Sequence, residues 1–313
     1  MINFVECKTK NEMMNMSENN TNIQVETQTP QRPQAKWFDA FVVLILFGVS
    51  QVVGGGLFGF LAPLIGVELP NEIMMESVDS EVVEHVRFLQ SRMVAISYFI
   101  SMVVAFVLVP AYARWRGWRS TISLSFRSAG WTTSFRLLCG YILMWCITIA
   151  LEPLTSLLPG DQSALGGGGW LLVSAVLLAP LFEEVIFRGY IAGLLKTAYG
   201  GMVAWLLSSL IFGVVHVIPS VMLTATMSGL VLGFFYLRHR SLRLVIVLHA
   251  MNNLTACFLQ TIDLGDTTLH EVLGDSVLYW SIYGVCAFIS LTAFCRMAVV
   301  VSRIKSDNIA PKK

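Results

Sequence analysis

The chain has 313 residues, of which 55% are apolar and only 13% charged, with a formal net charge of +1 and a mean hydropathy of +0.68. A soluble domain usually carries nearly twice that charge, so ordinary soluble folds are excluded. The basic residues are split among separate segments and form no nucleic-acid footprint. Six cysteines show neither metal nor redox spacing.

Residues 1–36 are polar, mixed in charge and rich in Asn, Gln, Thr and Met, which predicts a disordered tail. This head is too long and too acidic for a signal-peptide n-region, so the first apolar segment is expected to be an uncleaved anchor. Apolar runs of bilayer length then recur at about 38–64, 94–112, 133–157, 170–191, 199–218, 221–237, 242–260 and 277–301. The fold class is therefore all-α, a polytopic membrane protein of about eight transmembrane helices. The helical domain covers 37–302, and 303–313 forms a short basic tail. Only Pro219-Ser220 separates the fifth and sixth runs, as a tight hairpin or a broken, partly re-entrant element. Gly54-Gly55-Gly56 inside the first run signals close helix packing or a local break. Gly166–Gly169 before the fourth reads as a turn, since no GK[ST] or strand accompanies it.

Lys and Arg crowd the head, the second loop (Arg114, Arg116, Arg119, Arg127), the sixth loop (Arg238, Arg240, Arg243) and the C-terminus. The first and last loops are acidic. The bias places both termini in the cytoplasm and the chain in the cell membrane as a multi-pass protein, in agreement with an even span count.

Within the apolar fourth run stand Glu183, Glu184 and Arg188. Carboxylates buried in a bilayer are costly and need a compensating role. Adjacent helical residues point about 100° apart, so the two carboxylates cannot serve one point equally. Arg188, four residues after Glu184, shares its face. The economical arrangement is a Glu184–Arg188 ion pair that leaves Glu183 facing a cavity. His216 and His249 are the histidines placed inside apolar runs, and Asn253 shares the face of His249. A carboxylate with an imidazole can deprotonate water, and an imidazole N–H with an amide N–H can stabilise an oxyanion. Neither Gly-x-Ser-x-Gly nor His-Glu-x-x-His is present. Glu183, His216 and His249 could in principle bind zinc instead. Depth estimates put Glu183 and His249 about 10 Å inside the membrane, with His216 deeper by roughly 10 Å.

EEVIFR at Glu183–Arg188, FGVVH at Phe212–His216 and HAMNN at His249–Asn253 resemble, complete and in order, the EExxxR, FxxxH and HxxxN motifs of the CPBP family of intramembrane glutamic endopeptidases. That family includes the type II CAAX prenyl endopeptidases and the abortive-infection homologues. The resemblance is sharp over about residues 170–260. It implies a helical bundle around an intramembrane cavity open to the cytoplasm. It also implies a water activated by Glu183 and His216, an oxyanion held by His249 and Asn253, and support from Glu184, Arg188 and Phe212. No cofactor is expected on this reading. The implied partners are the lipid bilayer and a peptide or membrane-protein substrate, lipidated or a bacteriocin-like precursor. Two other classes fit the same residues: a non-catalytic scaffold or regulator, and a proton-coupled carrier, although no inverted repeat is visible.

Overall fold

The computed structural model describes residues 36–68, 79–117, 131–160, 167–262, 264–265 and 267–305. Every element among them is helical: α1 (Trp37–Leu64), α2 (Ser80–Trp115), α3 (Trp131–Thr155), α4 (Gly169–Tyr199), α5 (Gly201–Val214), α6 (Pro219–His239), α7 (Leu242–Thr261), the short α8 (Leu269–Leu273) and α9 (Val277–Ser302). The expected disordered tail, 1–36, lies outside the described residues up to position 35, as does most of the basic C-terminal tail.

Seven of these helices are long and apolar enough to cross a membrane. The expected fifth span differs, because α5 has only 14 residues. At 1.5 Å per residue it is about 21 Å long, short of the roughly 30 Å hydrocarbon core. Gly200 cuts it at one end, with φ +87°. A turn at His216–Ile218 cuts it at the other.

The α5–α6 pair is an antiparallel hairpin. Trp205 Nε1 donates to the Leu230 carbonyl across it, at 2.7 Å. A Cβ on Gly213 would run into the Met222 carbonyl and the Thr226 side chain, so glycine there sets the helix separation. Consecutive helices alternate in direction. Asp39 at the start of α1 accepts Arg116 Nε at 2.8 Å and Nη2 at 3.1 Å from the end of α2. Tyr141 of α3 meets Thr255 of α7, and the Gly201 amide at the start of α5 donates to Ile304 just beyond α9. The ends bearing Arg114, Arg116, Arg238, Arg240 and Arg303 consequently share one face, and those bearing Glu68, Asp79, Glu81 and Glu271 share the other.

α1 and α2 run together for most of their length. The triple-glycine stretch leaves α1 unbroken, and within it Gly54 lies directly against Ser101 of α2 and serves close packing, while Gly55 and Gly56 face open space. α2 begins well before the apolar run at 94, capped by Asp79, whose side chain accepts the Glu81 amide at 2.9 Å.

The core sits between α4, α5, α6 and α7, with α1 and α2 against α4. Phe187, Trp205, Phe212, Leu232, Val245 and Leu248 are buried there. α4 is not a regular α-helix. Residues Val173–Leu178 and Glu184–Ala192 are wound as π-helix, on either side of an α-helical turn at Ala179–Glu183. The second opens at Glu184, directly after Glu183, and such segments often mark functional sites.

Candidate active site

α4 supplies both glutamates, and its neighbours treat them differently. Glu184 is fully buried. Its Oε2 lies 3.2 Å from Arg188 Nε, the expected ion pair. Its Oε1 accepts a hydrogen bond from His249 Nδ1 of α7 at 2.9 Å. Arg188, also fully buried, donates through Nη2 to the Gly229 carbonyl of α6 at 3.3 Å and lies over the Phe212 ring at 4.2 Å. Glu184 and Arg188 thus tie α4 to α5, α6 and α7 at one level. A buried charge left without its partner costs roughly 3–5 kcal/mol.

Glu183 points elsewhere. Its Oε1 accepts the Tyr98 hydroxyl of α2 at 3.0 Å. Its Oε2 is enclosed yet has no hydrogen-bond partner among the described residues. The residue as a whole is partly exposed. Glu184 Oε2 likewise makes no hydrogen bond, but it has the Arg188 guanidinium beside it as counter-charge, whereas Glu183 has a partner at one oxygen only.

Phe212 is the hub of the aromatic packing. Its centroid lies 5.3 Å from Phe187, 5.0 Å from His216 and 5.7 Å from His249, all edge-on. The His216 ring turns back onto its own helix, where Nδ1 lies 2.7 Å from the Phe212 carbonyl. A carbonyl can only accept, so Nδ1 carries the proton and Nε2 of the neutral ring bears the lone pair. Immediately after it the backbone is strained. Val217 has φ +65°, and the Ile218 amide donates to the His216 carbonyl at 2.7 Å. That is a γ-turn with a β-branched residue at its centre, an unfavourable conformation. The turn lies just beyond the end of α5 at Val214.

The depth mismatch expected for His216 rested on ending the fourth helix at 191. α4 runs to Tyr199 rather than 191, and the chain turns at Gly200. Glu183 and His216 then lie nearly the same number of residues before and after that turn. His249 is brought to this level independently, by Glu184.

Asn253 is on the expected face of α7, and its Nδ2 donates to the Ala175 carbonyl of α4 at 2.8 Å. The reason lies in the first π segment. The Ala179 amide bonds the Ser174 carbonyl, five residues back. The next bond in that register would run from residue 180 to Ala175, but residue 180 is proline and has no N–H. Asn253 supplies the missing donor. Its second Nδ2 hydrogen and its carbonyl are not used by this bond.

No three His, Cys, Asp or Glu side chains among the described residues gather as a metal-ligand set, the Glu183, His216 and His249 trio included.

A membrane-embedded helical bundle with a carboxylate–imidazole centre is the class that this fold and site define. Residues 166–255, which hold every expected site residue, match the family described as type II CAAX prenyl endopeptidase Rce1-like. The chain is also 32% identical over 90 residues to a Bacillus subtilis (strain 168) protein titled "Putative membrane peptidase YdiL". That alignment spans 29% of this chain and 37% of the relative's length. No solved structure matches the chain significantly.

Tyr98 lies outside the matched segment and carries no motif. An isolated tyrosine in an apolar run gives no sequence signal of its partner. Pro180, by contrast, is a readable sign that some carbonyl one turn back lacks its donor.

Proposed function

We propose that the chain is a membrane-embedded endopeptidase that hydrolyses a peptide bond with a water activated by Glu183 and His216. The observation that carries this reading is the contrast between the adjacent carboxylates: Glu184 is ion-paired to Arg188 at one oxygen and hydrogen-bonded to His249 at the other, whereas Glu183 has a partner, Tyr98, at one oxygen only. A purely architectural lock needs only the first. Glu183 Oε2 takes a proton from water, and the His216 Nε2 lone pair holds the water's other hydrogen. The resulting hydroxide attacks the substrate carbonyl carbon. The oxyanion that forms is held by N–H donors from His249 and Asn253, and the departing amine takes the proton back from Glu183.

For His249 to donate through Nε2 while Nδ1–H bonds Glu184, the ring must be protonated. His249 is the imidazole that faces a carboxylate. On this reading no metal enters the reaction.

The substrate is proposed to be a membrane-associated or lipidated peptide, a reading supported by the match to a prenyl endopeptidase family. The site is proposed to open to the cytoplasm, on the face that gathers the basic loops. The test is incubation of purified protein with an internally quenched peptide bearing a farnesylated C-terminal cysteine motif, beside its unprenylated twin, with products read by mass spectrometry. A single internal cleavage supports the reading. Intact peptide in both arms, together with proton-coupled uptake into vesicles, would favour a carrier.

A further inference from the structure

Glu183 can abstract a proton at one oxygen only if its carboxylate is held against rotation. Nothing on α4 itself does this. The holding group comes from α2, through the 3.0 Å bond from the Tyr98 hydroxyl to Glu183 Oε1. α2 is fixed against α4 on both sides of that bond. Towards one end, Ser91 Oγ donates to the Gly167 carbonyl at 2.6 Å and the Gly167 amide to the Arg87 carbonyl at 3.0 Å. Beside the glutamate, the Phe182 ring packs on Phe99 and Phe106, at 6.3 and 5.0 Å between centroids. A phenol on so constrained a helix has little freedom to follow a wandering carboxylate.

We propose that Tyr98 is the positioning residue of the site: its hydroxyl pins Glu183 Oε1 and so leaves Oε2 as the one oxygen available to take a proton from a bound water. The inference rests on the peptidase reading of Glu183. It enlarges the functional unit to include α2, which the family match does not cover. A segment holding only residues 166–255 would carry every motif and still lack the group that aims the base.

The test is Tyr98→Phe in the full-length protein, which keeps the ring and removes the hydroxyl. With the quenched farnesylated peptide as probe, kcat should fall about 10–100-fold, as for a misplaced catalytic group, while KM and the melting temperature stay near wild type. An independent arm needs no turnover. With glutamate carboxylates labelled with ¹³C, the infrared difference between Tyr98→Phe and wild type should show one displaced carboxylate band. That displacement should vanish when both proteins also carry Glu183→Gln. Wild-type protein inert to the probe would count against the peptidase reading and leave the infrared arm to decide on Tyr98. An unchanged carboxylate band, or a raised KM with unchanged kcat, would overturn the assignment.

Discussion

The bond between Asn253 and Ala175 allows an unusually specific double substitution. Asn253→Ala leaves the Ala175 carbonyl without a donor, because Pro180 cannot provide one. Interhelical hydrogen bonds in membrane proteins contribute on average ~0.6 and up to ~1.7 kcal/mol. Leaving a buried acceptor unsatisfied costs ~1–3 kcal/mol. A loss of about 1–2 kcal/mol is therefore expected, or roughly 2–6 °C in melting temperature. Pro180→Ala restores an amide at the position that the π register would use. In that background the loss caused by Asn253→Ala should shrink to near zero, a strong departure from additivity. Melting curves of the four proteins in one detergent measure this. Equal losses in both backgrounds would refute the reasoning. Turnover on the same samples separates two roles of the amide. If Asn253 also donates to the oxyanion, the double variant regains stability while cleavage stays about 10²–10³-fold down. If it only replaces the proline's donor, cleavage returns with the fold.

Three further outcomes are expected. Val217→Gly relieves a β-branched residue at φ +65°, a conformation that costs about 1–2 kcal/mol, partly offset by glycine's larger unfolded-state entropy. Thermal melting should show unchanged or slightly raised stability, and a clear fall would contradict the strained turn. Prolonged chelation should leave cleavage of the quenched peptide intact. Loss restored by stoichiometric zinc bound to Glu183, His216 and His249 would make the site metal-dependent. Single cysteines at positions 10 and 308, in a cysteine-free background, should resist an impermeant reagent added to intact cells, and external labelling would overturn the topology.

How much of this was legible in the sequence varies by kind of interaction. The Glu184–Arg188 pair follows from helical spacing, and it formed even though the segment is wound as π-helix. Helix ends were less legible. Lys196 and Thr197 interrupt the apolar run of α4, so hydropathy stops it near 191, while the structure carries it on to Gly200. The charged start of α2 was hidden in the same way. α8 had a readable signal, since Thr268 and Glu271 form a capping box. The contacts between distant helices, Tyr98 to Glu183 and His249 to Glu184, depend on how helices pack and leave no periodic trace. The shortness of α5 depends on Gly200 and the Val217 turn, neither of which alters mean hydropathy.

The division of labour between the two adjacent carboxylates is tested most directly by Glu183→Gln and Glu184→Gln side by side, with melting temperature and turnover of the farnesylated peptide read on the same preparations. The account predicts that Glu183→Gln melts near wild type and cleaves nothing. Glu184→Gln should melt markedly lower, because Arg188 is left buried without its counter-charge at a cost of roughly 3–5 kcal/mol. A Glu183→Gln protein that still cleaves, or a Glu184→Gln protein that is stable but inactive while Glu183→Gln loses its fold, would contradict it.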